Sequence, residues 1–164
     1  MIKKILTTLI AICCIVAVSQ AQDRKIPAIL PKPTKIEMGN VNSSFSLNTK
    51  TRIVCRFEDK NIKFAINEIN RIGEELFGQK LKKSSKVHGD NNIIIKHDSS
   101  LKEEGYTLEI TPENIIINAG SAAGVFYAAQ TLKQIIPVQA FETPIDLEKV
   151  LLPTLKITDT PHFA

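Results

Sequence analysis

Many of the residue patterns that mark an enzyme are missing from this sequence of 164 residues. It has no tryptophan and none of the patterns H-E-x-x-H, C-x-x-C, G-x-S-x-G or the Walker loop. The common zinc, thiol, serine and phosphate chemistries therefore lack their anchoring residues. The glycine-containing stretch AGSAAG fits neither a dinucleotide-binding loop nor a phosphate loop. We predict no catalytic residue, no cofactor-binding residue and no metal ligand in this chain.

The first 21 residues have the pattern of an export signal. Lys3 and Lys4 precede an apolar run, and small residues lead up to Ala21, where a signal peptidase would cut. The run is shorter than the roughly 18 to 20 residues that span a bilayer, which disfavours an uncleaved anchor. A lipoprotein signal would need a small residue before its cysteine, whereas an isoleucine precedes Cys13. We predict a signal peptide over residues 1–21, an exported protein, periplasmic or extracellular, and no membrane contact after cleavage.

Removal of that signal changes both the net charge and the cysteine count. The formal net charge falls from +4 to +2, because Lys3 and Lys4 leave with the signal. With so small an excess and no basic stripe interleaved with aromatic residues, we expect no nucleic-acid partner. Cys55 is the one cysteine that remains, and it alternates with Ile53 and Phe57 on the apolar face of a strand. Such a cysteine is typical of a core residue, so we expect neither a disulfide nor a catalytic thiol.

One helix and one hairpin are indicated by their periodicity. In NIKFAINEINRIGEELFG apolar residues recur every three or four positions, which predicts an amphipathic helix. Asp59 or Asn61 would cap its start, and Gly78 would follow its end. The apolar run Ile93–Ile95 predicts a central strand buried on both faces. YTLEI, TPEN and IIIN predict an antiparallel hairpin with Pro112 as the first turn residue.

A second helix and a last strand complete the predicted domain. AGSAAGVFYAAQTLKQIIP predicts a helix capped by Ser121 and ended before Pro137, with small residues that allow close packing on a sheet. The segment 137–149 reads as a connection, and Leu155 and Ile157 alternate with polar residues as in a strand. The order of elements predicts an α+β fold, a mostly antiparallel sheet with two main helices packed on one face.

Three histidines, a glutamate pair and a lysine-rich stretch are the remaining candidates for chemistry. His88, His97 and His162 are isolated, and each is expected to be a solvated or edge residue rather than a ligand. Glu74 and Glu75 are neighbours on the polar side of a helix, and their side chains diverge by about 100°. We therefore expect two solvated surface residues rather than an acid and base pair. The stretch KLKKSSK, which follows that helix, reads as a solvated loop.

Four short motifs follow one another in the second half of the sequence. They are an E-x-Y-x-L strand, an I-x-I-x-A strand, an A-G-x-F-Y helix start and a Q-T-L-x-Q continuation of that helix. Their residues are Glu104, Tyr106 and Leu108; Ile115, Ile117 and Ala119; Ala123, Gly124, Phe126 and Tyr127; Gln130, Thr131, Leu132 and Gln134. In combination they resemble the N-terminal domain of family-20 glycoside hydrolases, the β-N-acetylhexosaminidases. IPAILPKPTKIEMGN resembles the opening of that domain, and ITDTPHFA resembles its link to the catalytic barrel, with His162 where the family more often has arginine.

The resemblance implies that catalysis belongs to a (β/α)₈ barrel beyond Ala164. In the family an adjacent Asp-Glu pair of the barrel works with the substrate's own acetamido group as nucleophile, in a retaining mechanism. The glutamic acid protonates the leaving oxygen and the aspartate orients the acetamido group. A barrel needs about 200 residues or more, and no Asp-Glu dipeptide occurs here. We predict that this chain alone is inactive and that its partner is the parent enzyme's barrel, through which alone it meets the glycan substrate.

This resemblance divides the chain into three parts. They are the signal peptide, residues 1–21; a non-catalytic accessory domain, residues 22–152; and the start of the link to the barrel, residues 153–164. An exposed apolar patch is expected near the C-terminal strand, where the barrel would pack.

Two other interpretations stay open. One is a stand-alone carbohydrate-binding or protein-interaction module, which the shortage of aromatic residues disfavours, because Tyr106 and Tyr127 lie in core-side segments. The other is the accessory domain of a different glycosidase, an O-GlcNAc hydrolase or an α-glucuronidase.

Overall fold

The computed structural model describes residues 27–142 and 147–160, and the predicted signal peptide and His162 lie outside these ranges. The described strands are β1 (Lys35–Met38), β2 (Ser44–Asn48), β3 (Arg52–Arg56), β4 (Lys82–Ser84), β5 (Asn92–His97), β6 (Tyr106–Ile110), β7 (Asn114–Ala119), β8 (Lys149–Pro153) and β9 (Leu155–Asp159). The described helices are α1 (Ile62–Phe77), α2 (Ala122–Ile135) and α3 (Gln139–Glu142). Both long helices and the β6–β7 hairpin are therefore confirmed.

Seven strands form one mixed sheet in the order β1-β9-β6-β7-β5-β3-β4. The pairings β1–β9, β9–β6 and β6–β7 are antiparallel, whereas β7–β5, β5–β3 and β3–β4 are parallel. The α and β content is as predicted, but the prediction of a mostly antiparallel sheet is wrong for the half around β3. Parallel neighbours are joined by long crossovers such as the one through α1, and no local turn signal reports them.

One hydrophobic core lies between this sheet and the two long helices. The strands contribute alternate residues such as Ile93, Ile95 and Ile115, and both helices contribute their apolar stripes. Ile94 is also buried, although it points to the other side of the sheet, so the unbroken apolar run of β5 marks an interior strand as predicted. We call the side of the main sheet that faces away from α1 and α2 the open face.

Two segments that the sequence predicts to be a connection and a loop contain secondary structure. The predicted connection 137–149 contains α3 and the start of β8, and β8 pairs with β2 in a separate two-stranded sheet. Val150 and Leu152 of β8 are buried and alternate with exposed residues, as in a strand. The alternation spans only a few residues before Pro153, so the strand signal is weak. The lysine-rich stretch after α1 contains β4, a three-residue edge strand. Lysines on a short edge strand keep that edge from pairing with another chain.

The helix ends follow the sequence signals. Ser121 caps α2, and its hydroxyl accepts a hydrogen bond from the Ala123 amide at 3.0 Å. Gly78 follows α1 with φ 66°, a left-handed conformation that suits glycine. Gly124 allows α2 to approach the sheet closely, because a Cβ there would lie 2.5 Å from the Gly105 carbonyl oxygen. In the ranges described, none of the helices combines the length and apolar character that a membrane crossing requires.

Candidate interaction surface

Within residues 27–142 and 147–160, the side chains that could act as a nucleophile or a metal ligand do not converge. Cys55 is half-buried on β3, its thiol donates to the Phe57 carbonyl at 3.4 Å, and burial raises the pKa of the thiol. His97 is exposed and stacks on Phe57 at 4.8 Å between ring centroids, and His88 lies exposed in a loop. No group of three His, Cys, Asp or Glu side chains in the described part of the chain could hold a metal ion.

The two adjacent glutamates of α1 lie on the surface, as expected. Glu74 is paired with Lys80 at 3.7 Å, and Glu75 is paired with Lys133 of α2 at 2.6 Å. Because they turn to different partners on different sides of the helix, they do not form an acid and base pair.

The motif residues of β6 and α2 pack the domain internally. The Tyr106 hydroxyl lies 2.6 Å from the Thr131 hydroxyl in the core, and burial raises the pKa of Tyr106 to about 12. The Gln134 side chain accepts a hydrogen bond from the Leu30 amide at 2.8 Å and donates to the Leu30 carbonyl at 3.0 Å. It thereby fixes the extended segment before β1 to α2. Tyr106, Thr131 and Gln134 thus hold elements of the domain together.

An aromatic patch lies on the outer side of the helix pair. It consists of Phe64 on α1 and of Phe126 and Tyr127 on α2. The Phe64 and Phe126 rings are stacked with centroids 5.6 Å apart, and Phe126 meets Tyr127 edge to face at 5.7 Å. Phe64 is 62% exposed. The patch borders a shallow cleft of about 280 Å³, whose lining also includes Asn61 and Ala123.

Parallel packing of the two helices brings these rings together. Gln130 of α2 donates to Glu68 of α1 at 3.2 Å, and Lys133, about one turn further along α2, pairs with Glu75, about two turns further along α1. Contacts therefore advance in the same direction on both helices, and their amino-terminal ends lie side by side. The outer side of the pair is aromatic at that end and polar beyond it.

Asp59 joins the two amino-terminal ends. Its Oδ1 accepts from the Asn61 amide at 2.7 Å, and its Oδ2 accepts from the Ala122 amide at 3.3 Å. A carboxylate is favourable at this place, because both helices present unpaired amide groups and the positive end of their dipoles there. The aromatic patch thus lies on a fixed base rather than on separate helices.

Residues 26–160 match the sequence family described as glycosyl hydrolase family 20, domain 2. The chain belongs to this family. The match favours family 20 over the other glycosidase families that the sequence left open.

Relatives of this family 20 domain are longer proteins. It is 28% identical to a beta-hexosaminidase of Porphyromonas gingivalis over 93% of this chain and 21% of that protein. It superposes on the N-acetyl-beta-hexosaminidase of Streptomyces plicatus with a TM-score of 0.67 at 26% identity, over 88% of this chain and 27% of that one. It also superposes on a GH20 exo beta-N-acetylglucosaminidase of Vibrio harveyi with a TM-score of 0.66 at 25% identity, over 82% of this chain and 19% of that one. The chain thus spans about a quarter of these proteins or less.

The family 20 domain holds its two ends together at the edge of the sheet. The Asp159 carboxylate accepts hydrogen bonds from the amide and the hydroxyl of Thr34, at 3.1 and 3.0 Å, and from the Thr160 amide at 3.0 Å. Asp159 belongs to the predicted link, but it closes β9, which lies inside the sheet between β1 and β6.

Sequence reasoning missed the main residue of the patch. Phe64 lies off the apolar stripe of α1, and an outward phenylalanine between Lys63 and Ala65 is the signal that could have revealed it. The motifs include Phe126 and Tyr127, and Tyr127 is predicted to lie in a core-side segment. Both residues lie half-exposed on the outer side of the helix pair, and not at the C-terminal strand.

Proposed function

We propose that this chain is the non-catalytic accessory domain of an exported β-N-acetylhexosaminidase, and that its aromatic patch packs against the catalytic barrel of that enzyme. The exposed ring of Phe64, stacked on Phe126 at the fixed end of the helix pair, is the observation that carries the proposal. An ordered apolar patch on a small domain is typical of a surface that is covered in the working protein.

The lengths and names of the relatives support the identity of the partner. The relatives are named hexosaminidases or N-acetylglucosaminidases, and this domain accounts for a quarter of their length or less. The remainder of such a protein is long enough for a barrel of about 200 residues or more. The barrel would carry the Asp-Glu pair and hydrolyse terminal N-acetylhexosamine by the substrate-assisted retaining mechanism.

In this proposal the domain contributes packing rather than chemistry. Its titratable groups are paired, buried or dispersed over the surface, as Glu75, Tyr106 and His97 illustrate. The chain by itself is therefore expected to leave chromogenic N-acetylhexosaminides uncleaved.

Export of the parent rests on the amino-terminal sequence. Lys3, Lys4 and the apolar run that ends before Ala21 form a signal that directs the protein to the periplasm or outside the cell. Mass spectrometry of the protein from its natural host should find a mature chain that begins at Gln22. A cytoplasmic protein with an intact amino terminus would contradict export.

The partner is tested first at the gene and then at the patch. The resemblance to the family implies that the coding sequence beyond codon 164 continues into Trp-Arg-Gly and later into an Asp-Glu pair; a stop codon there would overturn the proposal. In the full-length enzyme we expect Phe64→Asp to cost about 2 kcal/mol or more, because a charge replaces a buried ring. In the isolated chain the same change should cost less than about 0.5 kcal/mol. Thermal unfolding measures both.

Val41→Asp is the matched control. Val41 is 60% exposed, close to the value for Phe64, but it lies in the loop between β1 and β2. Val41→Asp should change the stability of the full-length enzyme and of the isolated chain very little. Equal effects of the two variants in the full-length enzyme would exclude the patch as the barrel contact. Binding of chito-oligosaccharides to the isolated chain that Phe64→Asp abolishes would instead establish a carbohydrate-binding module.

A further inference from the structure

Four basic side chains cluster on the open face of the sheet, opposite the aromatic patch. Arg52 and Arg56 lie on β3, Lys82 on β4 and Lys96 on β5. Their neighbours in sequence, such as Ile53, point into the core, so alternation directs these four to the open face. Arg52 is directly beside Lys82, and Arg56 is directly beside Lys96, across parallel strands. We call these four residues the basic face.

The charges of the basic face are uncompensated. Among the described residues, none of the four has a carboxylate within 4.0 Å. The strand carboxylates of the open face, Glu37 and Glu109, lie on β1 and β6 in the antiparallel half. Like charges directly beside each other on neighbouring strands destabilise a sheet. Each pair is therefore a place where a bound anion relieves repulsion within the protein, and the two pairs lie four residues apart along β3.

The surroundings of the basic face expose little apolar surface. Val54 and Ile94, which lie between the two basic pairs, are 0% and 7% exposed, and Ile116, next in register, is half-buried. The row of Arg56 and Lys96 continues in register across the sheet through Asn118, Thr107 and Thr158. At ~4.8 Å per strand this row extends about 19 Å. It offers two cations on β3 and β5 and then amide and hydroxyl groups as far as β9, beyond which Lys35 of β1, paired with Glu37 at 3.0 Å, ends the row.

We propose that the basic face binds an acidic polysaccharide, a glycan that carries sulfate or carboxylate groups. Such a polymer supplies anions for the basic pairs and hydroxyl groups for the Asn118 and Thr107 side chains, which are already joined by a hydrogen bond of 3.0 Å. A membrane surface fits less well, because interfacial binding sites add exposed apolar side chains to their cations. Single-stranded nucleic acid would require aromatic rings for its bases, and the row has none.

This binding site is independent of the proposed contact with the barrel. The basic face and the aromatic patch lie on opposite sides of the domain, since the sheet separates them. A barrel on the helices leaves the basic face accessible, and the domain then holds the enzyme on an acidic glycan matrix. The test below uses this chain alone, so it can fail or succeed whatever the sequence beyond codon 164 contains.

The test is titration of the purified protein with heparin, polygalacturonate and neutral dextran by isothermal calorimetry at 50 and 150 mM NaCl. We expect binding to at least one acidic polymer, no binding to dextran, and weaker binding at the higher salt concentration. The double variant R56Q/K96Q should lose about tenfold or more in affinity, because each cation near an anionic surface contributes on the order of 1 kcal/mol. Its thermal midpoint should not fall, since the variant removes a like-charge pair.

K63Q/K102Q is the matched control. It removes the same charge from two exposed lysines away from the open face and should change the affinity less than about twofold. Three results would overturn the proposal: no binding to either acidic polymer, an equal loss in the two double variants, or binding to phosphatidylglycerol vesicles in preference to both polymers. The last result would assign the face to a membrane.

Discussion

Tyr106 illustrates how a residue of the family motif serves the fold rather than catalysis. Its ring is buried under α2, and its hydroxyl meets the Thr131 hydroxyl at 2.6 Å. Each hydroxyl is the other's partner, so removal of one leaves a polar group buried without a hydrogen bond. Such a loss costs more than the bond itself contributes, because the remaining group has given up water.

We expect Tyr106→Phe to lower the free energy of unfolding at pH 7 by about 1 to 2 kcal/mol. The cost should shrink at high pH. Burial raises the pKa of Tyr106 from 10.0 to about 12, so the unfolded chain releases this proton first and the folded chain holds it. The stability that Tyr106 contributes is present below pH 10 and is lost as the pH rises from 10 to 12.

Urea unfolding of the wild type and of Tyr106→Phe across this pH range is the measurement. The wild type should lose more stability between pH 10 and 12 than the variant does. Thr131→Val in the Tyr106→Phe background should restore part of the loss at pH 7, since it removes the remaining unpaired hydroxyl. Parallel curves for wild type and variant would show that the tyrosine is not protected from ionisation.

At the scale of elements, the two long helices start in different ways. The Ser121 hydroxyl accepts from the Ala123 amide and donates to the Glu103 carbonyl at 2.7 Å, so it connects α2 to the loop before β6. Asn61 occupies the same position on α1, but its side chain makes no capping hydrogen bond. There the Asp59 carboxylate, two residues earlier, accepts a hydrogen bond from the Asn61 amide.

Substitution by alanine should separate these two helix starts. Ser121→Ala is expected to cost about 1 kcal/mol, the usual value of a capping side chain, whereas Asn61→Ala should cost ~0.3 kcal/mol. Chemical denaturation of the two variants gives the comparison. Equal costs would mean that the cap hydrogen bond of Ser121 contributes nothing measurable to α2.

The elements that the sequence predicts are those with a local signal. The stripe of α1, the small residues of α2 and the turn at Pro112 each lie within one short segment. Strand pairing over a distance is different. Nothing near Arg52 indicates that β3 lies between β4 and β5, and β4 has only three residues with two exposed lysines. The parallel half of the sheet therefore could not be predicted from periodicity.

The candidate surface was predictable only in part. The motifs that indicate the family include Phe126 and Tyr127, but they do not say which side of the helix meets solvent. That depends on the contact between α1 and α2, which the Gln130–Glu68 hydrogen bond reveals. The absence of enzyme motifs stays a prediction that this chain holds no catalytic set, because each chemistry needs its own residues at a fixed spacing.

On the scale of the whole molecule, the domain has two surfaces of opposite character. The helix side carries the aromatic patch, and the open face carries the basic face, whose four cations have no carboxylate partner among the described residues. Because the sheet separates the aromatic patch from the basic face, the domain can contact one partner through each surface at the same time. Gln134 fixes the segment at Leu30 to α2.

The junction at Asp159 should control the stability of β1. Asp159→Ala removes the acceptor of both Thr34 hydrogen bonds, and bonds to a charged group contribute about 1.5 to 3 kcal/mol. We expect amide hydrogen exchange in Lys35–Met38 to accelerate about tenfold or more, while β5 is unchanged. Asp90→Ala, which removes an exposed carboxylate elsewhere, is the control. Unchanged exchange in β1 would show that its pairing with β9 suffices.

The closeness of Thr34 and Asp159 also decides how the domain responds to mechanical force. The chain enters β1 and leaves β9 at the same end of an antiparallel pair, where Lys35 lies opposite Thr158. A pull on the polypeptide on both sides of the domain therefore meets the hydrogen bonds of this pair one after another, because they run perpendicular to the strands. The edge strand β1 therefore separates from β9 one hydrogen bond at a time. Such a pull would release this strand first and leave the core behind it intact.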